Sequence, residues 1–388
     1  MEASQHVPAP TTAEVLACSF PQWASTFKPY AFRNGIIPLK QDFLDYLQED
    51  GVFLPHDSAA MPKRQAQDPD ETPWTDEEDD SGVEVPLFTE LKQEIRAAID
   101  ALGGEVVPKL NWSSPKDAVW VSSTGSMKCT QPDEVLLLLK SSDAVIHDLC
   151  HVFDNCCDSP AEPKTLMPAP VLVLKKWYDL RPSSEFRCFV RHGEYIGACQ
   201  RDTARRYPFL SDMKQDLEEV LLDFFEMHVL EAFPSQSYTY DVYVTESKKV
   251  KIMDFNPYGG ETLPLLFEWS ELEAMAARAT HAASAARHLM GKTDSGKECV
   301  SLTDAPGDSQ SAAAPAGANA SDRMIMEVEF VPELRLLTQQ QQIRPGLRTG
   351  VPLDLYDTSD TGALAEFFNR AKEEHDAEQE CVEDDENL

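Results

Sequence analysis

Two aspartates and an asparagine, Asp241, Asp254 and Asn256, are the residues of this chain whose type and spacing best suit chemistry. They lie in the stretch DVYVTESKKVKIMDFNP, residues 241–257. Val242 and Val244 alternate with Asp241, Tyr243 and Thr245, the period of a half-buried strand. Glu246 to Lys249 reads as a polar turn. Val250 to Phe255 reads as the return strand, closed by Pro257, which lacks the N–H that a ladder needs. Counting outward from that turn sets Thr245 opposite Val250 and Asp241 opposite Asp254. Asn256, two residues on, shares the face of Asp254. Like charges opposite each other in a sheet repel, and a hard divalent cation reverses that penalty. Mg²⁺ takes one or two carboxylates together with phosphate oxygens and water. The plain alternative is a solvated strand end where acidic residues meet.

Cations recur at other strand ends. Lys109 follows Val106 and Val107, and Lys175 and Lys176 stand directly before Trp177. Arg187 lies on a strand that begins at Glu185, and Arg201 lies near the end of that hairpin. Lysine meets phosphate as a point charge and arginine as a two-pronged fork. Trp177 is a candidate wall for an adenine ring. Gathered around two carboxylates and an amide, these groups would hold a nucleoside triphosphate and its metal. Neither GxxxxGKS nor GxGxxG occurs, so a P-loop or a Rossmann turn is excluded. No Ser-His-Asp or Cys-His pattern stands out. His147, Cys150, His151, Cys156 and Cys157 match none of the usual zinc spacings, and adjacent cysteines chelate poorly.

The elements that must position these residues fall into an α+β pattern. Residues 1–12 read as a disordered leader, and 18–55 as a compact aromatic stretch with a strand at Ile36–Leu39 and a helix through Phe43, Leu44 and Leu47. Residues 56–85 are a disordered acidic insert holding Trp74. A helix follows from Pro86 to Leu102, stopped by Gly103 and Gly104. VVPKLNWSSPKDAVWVSS is strand-like at both ends, and a helix starts at Pro132. A second lobe is read from residue 166, with a buried strand at Val171, a hairpin turning near His192 and Gly193, a helix at Lys214–His228, the acidic hairpin, and a helix at Trp269–Met290. Residues 291–322 are a flexible linker. The segment 323–357 returns to an earlier sheet through Met324–Leu337, and 358–388 hold a helix and an acidic tail.

The 388 residues leave room for about two or three domains, or one large two-lobed unit. A net charge of -33 speaks against binding nucleic acid or an anionic membrane through the general surface. No apolar run approaches spanning length, no signal peptide opens the chain, and the nine cysteines follow no repeating framework. The expectation is a soluble, monomeric, cytoplasmic protein.

The blocks FPQWASTFKPYAFRNGIIPLKQDFLDYLQEDG, GGEVVPKLNWSSPKDAVWV, LKKWYDLRPSSEFRCFVR, QRDTARRYPFL and DVYV…KIMDFNPYGGETLPLLFEW resemble the cell division cycle protein 123 family. They stand in that family's order and cover most of the chain outside the insert, linker and tail. The resemblance implies an ATP-grasp-like two-lobed fold that binds ATP with Mg²⁺. It implies an assembly chaperone for eukaryotic translation initiation factor 2 that binds the gamma subunit. It also implies ATP contacts at Lys109, Asn111, Trp112, Ser114, Lys175, Lys176, Trp177 and Arg201, phosphate contacts at Arg187, and metal ligands at Asp241, Asp254 and Asn256. An arginine is common in the family where Lys175 stands, and the chain departs from the pattern after Pro257. The competing function, suggested by the fold alone, is a carboxylate-amine ligase acting through an acylphosphate.

Overall fold

A computed structural model describes residues 7–52, 54, 87–159, 165–293 and 330–338, with the backbone alone for 286–293. The insert with Trp74, most of the linker, residues 324–329, the Gln339–Gln342 tract, the last helix and the tail lie outside the described residues. The chain forms two compact units. One falls within Met1–Cys18, Asn155–Asp158 and Arg181–Gln340, the other within Ser19–Asp154 and Ser159–Leu180.

The chain enters the first of these units at once. Helix α1 (Thr12–Ala17) opens with a capping box, in which the Thr11 hydroxyl accepts from Glu14 N at 3.2 Å and the Glu14 carboxylate accepts from Thr11 N at 2.7 Å. The stretch just before it is packed, which corrects the reading of residues 7–12 as a disordered leader. Pro8 O accepts from Gly260 N and Pro10 O from Cys157 N, each at 2.9 Å. Gly259, at φ +94°, makes room for this crossing, because a Cβ there would come within 2.0 Å of Pro8 O.

The unit within Ser19–Asp154 and Ser159–Leu180 holds α2 (Phe20–Ala24), β1 (Asn34–Pro38), α3 (Gln41–Gln48), α4 (Thr89–Leu102), β2 (Val106–Lys109), α5 (Pro132–Lys140), α6 (Asp143–Cys150) and β3 (Val171–Lys176). Its antiparallel sheet has the order β1-β3-β2. Ile95, Ile99 and Leu102 of α4, Leu136 and Leu139 of α5, and Leu172 and Leu174 of β3 build its core. Gly103, at φ +100°, ends α4 in the left-handed region as a helix C-terminus favours. Two expectations change here. Strand β3 pairs between β1 and β2, so the boundary read at residue 166 falls near 181. Val119–Val121, read as strand-like, is a 3-10 turn instead. Val121 N donates to Ala118 O and Ser122 N to Val119 O at 3.1 Å, short-range bonds that close a turn in place of a ladder.

The other unit continues with β4 (Glu185–Arg191), β5 (Glu194–Gln200), α7 (Lys214–Phe224), β6 (Tyr238–Val244), β7 (Val250–Pro257), α8 (Trp269–Thr293) and β8 (Glu333–Arg335). The sheet order is β7-β6-β4-β5-β8. His192 and Gly193, at φ 55° and 80°, make the tight β4–β5 turn that the sequence suggests. Strand β8 joins in parallel, with Glu333 facing Gly197, where a Cβ would meet Glu333 O at 2.7 Å. The described chain therefore returns to this sheet after α8. Phe189, Cys199, Phe267, Trp269, Leu272 and Met275 form the core on the α8 side.

Candidate functional site

Asp241 stands opposite Asp254 in the β6–β7 ladder. The pairing is reached by a different route from the one the sequence suggests. Val244, not Thr245, faces Val250, because Thr245 belongs to the loop, its N–H donating to Lys249 O at 2.9 Å. A β-bulge then inserts Met253 between the paired positions Ile252 and Asp254, and the extra residue brings the two aspartates back into line. Asn256 faces Thr239 across the same strands. Asp254 and Asn256 are half-buried.

On its other side Asp241 faces Arg187 of β4. Asp254, Asp241 and Arg187 thus form one row across three adjacent strands. Asp241 is only 3% exposed, and Arg187 grips it in the bidentate way, Nε to Oδ1 at 2.7 Å and Nη2 to Oδ2 at 2.9 Å. Arg201 adds Nε to Oδ2 at 3.0 Å and reaches Glu185 Oε2 at 2.8 Å. Burial works against the Arg201 charge, yet Asp241 and Glu185 hold its pKa above the ordinary arginine value. Arg187 Nη1 also donates to Leu263 O at 2.8 Å, which ties the loop after β7 to the row. Sequence reasoning placed both arginines toward phosphate. In the structure both are bound to the carboxylate that reasoning placed toward the metal.

The donor set fits Mg²⁺ in chemistry. Asp254, Asp241 and Asn256 offer hard oxygen atoms near one another, and Asn256 Nδ2 is buried with no hydrogen-bond partner among the described residues. Asp241 enters such a site with its charge already balanced by two guanidinium groups. Among the described residues no group of three or more His, Cys, Asp or Glu side chains is placed to hold a metal. The protein would therefore supply part of a coordination sphere, with phosphate and water completing it.

The remaining residues expected to meet ATP lie in the other unit, on β2, β3 and the turn after β2. Lys109 is wholly buried, and its ammonium donates to Trp112 O. Asn111 is a clamp. Its Oδ1 accepts from Val171 N at 2.9 Å, its Nδ2 donates to Ser19 Oγ and Ala169 O at 3.3 Å, and its carbonyl accepts from Phe20 N at 2.7 Å. Asn111→Ala would orphan the buried Val171 N–H, at roughly 1–3 kcal/mol. We expect a visibly lower denaturation midpoint in urea. Trp112 and Ser114 are half-buried. Lys175 lies over the Phe20 ring, 4.9 Å from its centroid, and Lys176 lies 5.6 Å from that of Tyr178. As neighbours on β3, Lys175 and Lys176 point to opposite faces. Lys175 shares a face with Lys109, which faces Val173. Trp177 is half-buried, its N–H on Glu105 O at 2.9 Å.

The sequence reading missed the residues that shape this turn. Asp148 of α6 accepts from Trp112 N at 3.0 Å and Ser113 N at 2.7 Å, while Leu110 N donates to Ser113 O at 2.8 Å. Asp117 accepts from Ser142 Oγ at 2.6 Å and from Ala144 N at 3.1 Å, capping the start of α6. PKLNWSSPKDA is therefore bound to both ends of one helix. The only sequence signal for Asp148 is a carboxylate near the end of the short helical stretch DAVIHDLC.

Two compact α+β units, one carrying an acidic-basic row on its sheet and the other a tightly bound lysine-tryptophan turn, define the class of protein. The chain belongs to the D123 family, whose model matches residues 23–359. It is 41% identical over 266 residues, 68% of this chain, to the translation initiation factor eIF2 assembly protein of Sclerotinia sclerotiorum. That alignment spans 65% of the relative's own length. The protein of the same name from Xenopus laevis is 40% identical over 264 residues, 67% of this chain and 77% of the relative. The solved structure of Cdc123 from Schizosaccharomyces pombe is 38% identical, with a TM-score of 0.56, covering 69% of this chain and 94% of that one. The resemblance read from the sequence motifs is thus correct at the level of the family.

Proposed function

We propose that this chain is an ATP- and Mg²⁺-binding assembly factor for eukaryotic translation initiation factor 2 that acts as a cytoplasmic monomer on the gamma subunit. The observation that carries the reading is the Arg187–Asp241–Asp254 row, continued by Asn256, in a chain of this family. The names of the relatives support the partner. Asp254, Asp241 and Asn256 would hold the metal, which when bound screens the charge of the phosphates. Arg187 and Arg201 hold the Asp241 carboxylate oriented in the middle of β6. No side chain in the row is arranged as a nucleophile, and the reading assigns the nucleotide a binding role.

The test mixes purified chain with free gamma subunit on a sizing column, with Mg²⁺ and ATP or with EDTA, and follows the melting of the chain alone. We expect co-elution, and a higher melting temperature only when nucleotide and Mg²⁺ are both present. A ligand at a hundred times its Kd stabilises the folded state by about 2.7 kcal/mol. No shift at millimolar nucleotide would end the ligand half of the reading, and no co-elution the partner half.

A further inference from the structure

We infer that Asp148 is a positioning residue for the nucleotide, acting by fixing the Trp112 peptide of the Lys109–Ser114 turn from behind. This rests on the ATP reading above. Asp148 is 2% exposed, and a carboxylate so deeply buried is costly unless its oxygens are satisfied. Burial pushes its pKa up, while Ser113, Trp112 and the nearby Lys109 charge pull it part of the way back. All three of those residues belong to the turn. The Trp112–Ser113 peptide is held at both ends by opposite charges, its N–H (on Ser113) donating to Asp148 and its carbonyl (on Trp112) accepting from the Lys109 ammonium, while the Trp112 N–H ties the preceding peptide to the same carboxylate. A peptide plane pinned in this way sets the direction in which the Trp112 side chain leaves the backbone, and where Ser114 begins.

The anchor is itself fixed twice. Asp148 sits in the last turn of α6, and the first turn of α6 is capped by Asp117 from the far end of the same motif. An apolar residue at 148 would fill the space without the desolvation cost, so packing alone gives no reason for a carboxylate there. Control of the turn does. The local bonding also explains why Lys109, though wholly buried, has a part in the site: its ammonium works on the backbone of the turn.

The experiment compares wild type, Asp148→Ala, Asp148→Asn and Asp148→Leu by calorimetry with ATP and Mg²⁺, and by amide exchange at Trp112 and Ser113. Asparagine keeps a carbonyl oxygen that accepts both N–H groups, because one Asp148 oxygen, Oδ2, now takes both. We expect Asp148→Asn to bind within about threefold of wild type. Asp148→Ala should lose roughly tenfold to a hundredfold, the range seen when orienting groups behind a ligand are removed. Asp148→Leu, which fills the volume without an acceptor, gives the same measurement should the alanine variant fail to fold. Leu139→Ala, in the same core, is the control, expected to melt earlier yet bind ATP normally once folded. Faster exchange confined to the turn in the alanine or leucine variant, with weaker binding, supports the inference. Unchanged affinity in those variants beside a binding wild type overturns it alone. A wild type that binds no ATP overturns the ATP reading, and this inference with it.

Discussion

Asp254→Ala is expected to leave the protein folded and to weaken Mg²⁺-dependent ATP binding by about a hundredfold or more, roughly 2.8 kcal/mol. The residue is half-buried on β7, the strand at one edge of the sheet, and takes no part in either hydrophobic core. Because the charge of Asp241 opposite is already balanced by Arg187 and Arg201, removing Asp254 changes the electrostatics of the free protein little. The apo melting temperature should therefore hold steady. Binding should fail because Mg²⁺ is held by few hard ligands and each one counts. Calorimetry with ATP, with and without Mg²⁺, reads the effect directly. A variant with unchanged affinity would remove the metal from this hairpin.

The pairing of Asp241 with Asp254 was legible in the sequence through an offset that cancels. Strand period and the position of Pro257 set the two strands, but the loop was read one residue too short at its start. The bulge at Met253 restores the alignment. Bulges of this kind answer to sheet twist and to cross-strand packing, which one strand's sequence does not reveal. The His192-Gly193 turn was easier, since a two-residue hairpin demands positive φ and glycine supplies it.

What the sequence hid was partnership over long separations. That Arg187 and Arg201 bind Asp241 depends on strand order, because β4 lies next to β6 and not only next to its hairpin mate β5. Local pattern cannot supply that adjacency. Asp148 was hidden for a related reason: a carboxylate in a short amphipathic helix reads as solvent-facing until the turn that covers it is in place. The placement of β3 failed on the same ground, since a buried strand of β-branched and leucine residues fits the middle of either sheet. Lys175 and Lys176 were separable in principle, because strand period alone sends neighbours to opposite faces.

Asp241→Ala should behave quite unlike its neighbour across the hairpin and should damage the fold itself. Asp241 is buried and answers two arginines, one of them gripped at both ends of its fork. Without it Arg187, 8% exposed, keeps Leu263 O as its hydrogen-bond acceptor and no carboxylate, while Arg201 keeps Glu185. Removing one partner from a buried ion pair costs roughly 3–5 kcal/mol, because the charge left behind has lost its compensation. Total stability is on the order of 5–15 kcal/mol, so the loss is severe, and the melting temperature should fall by roughly 10 °C. In cells this variant should be scarce, whereas Asp254→Ala should be abundant and inactive. The decisive measurement is a double-mutant cycle in urea. Replacing both Asp241 and Arg187 by leucine removes the orphaned charge together with its partner, and should recover much of the stability lost in Asp241→Ala while leaving ATP binding absent. If Asp241→Ala instead unfolds at the wild-type urea concentration, the arginines contribute nothing to the fold through this carboxylate. Their place beside Asp241 would then have to be explained by the ligand alone.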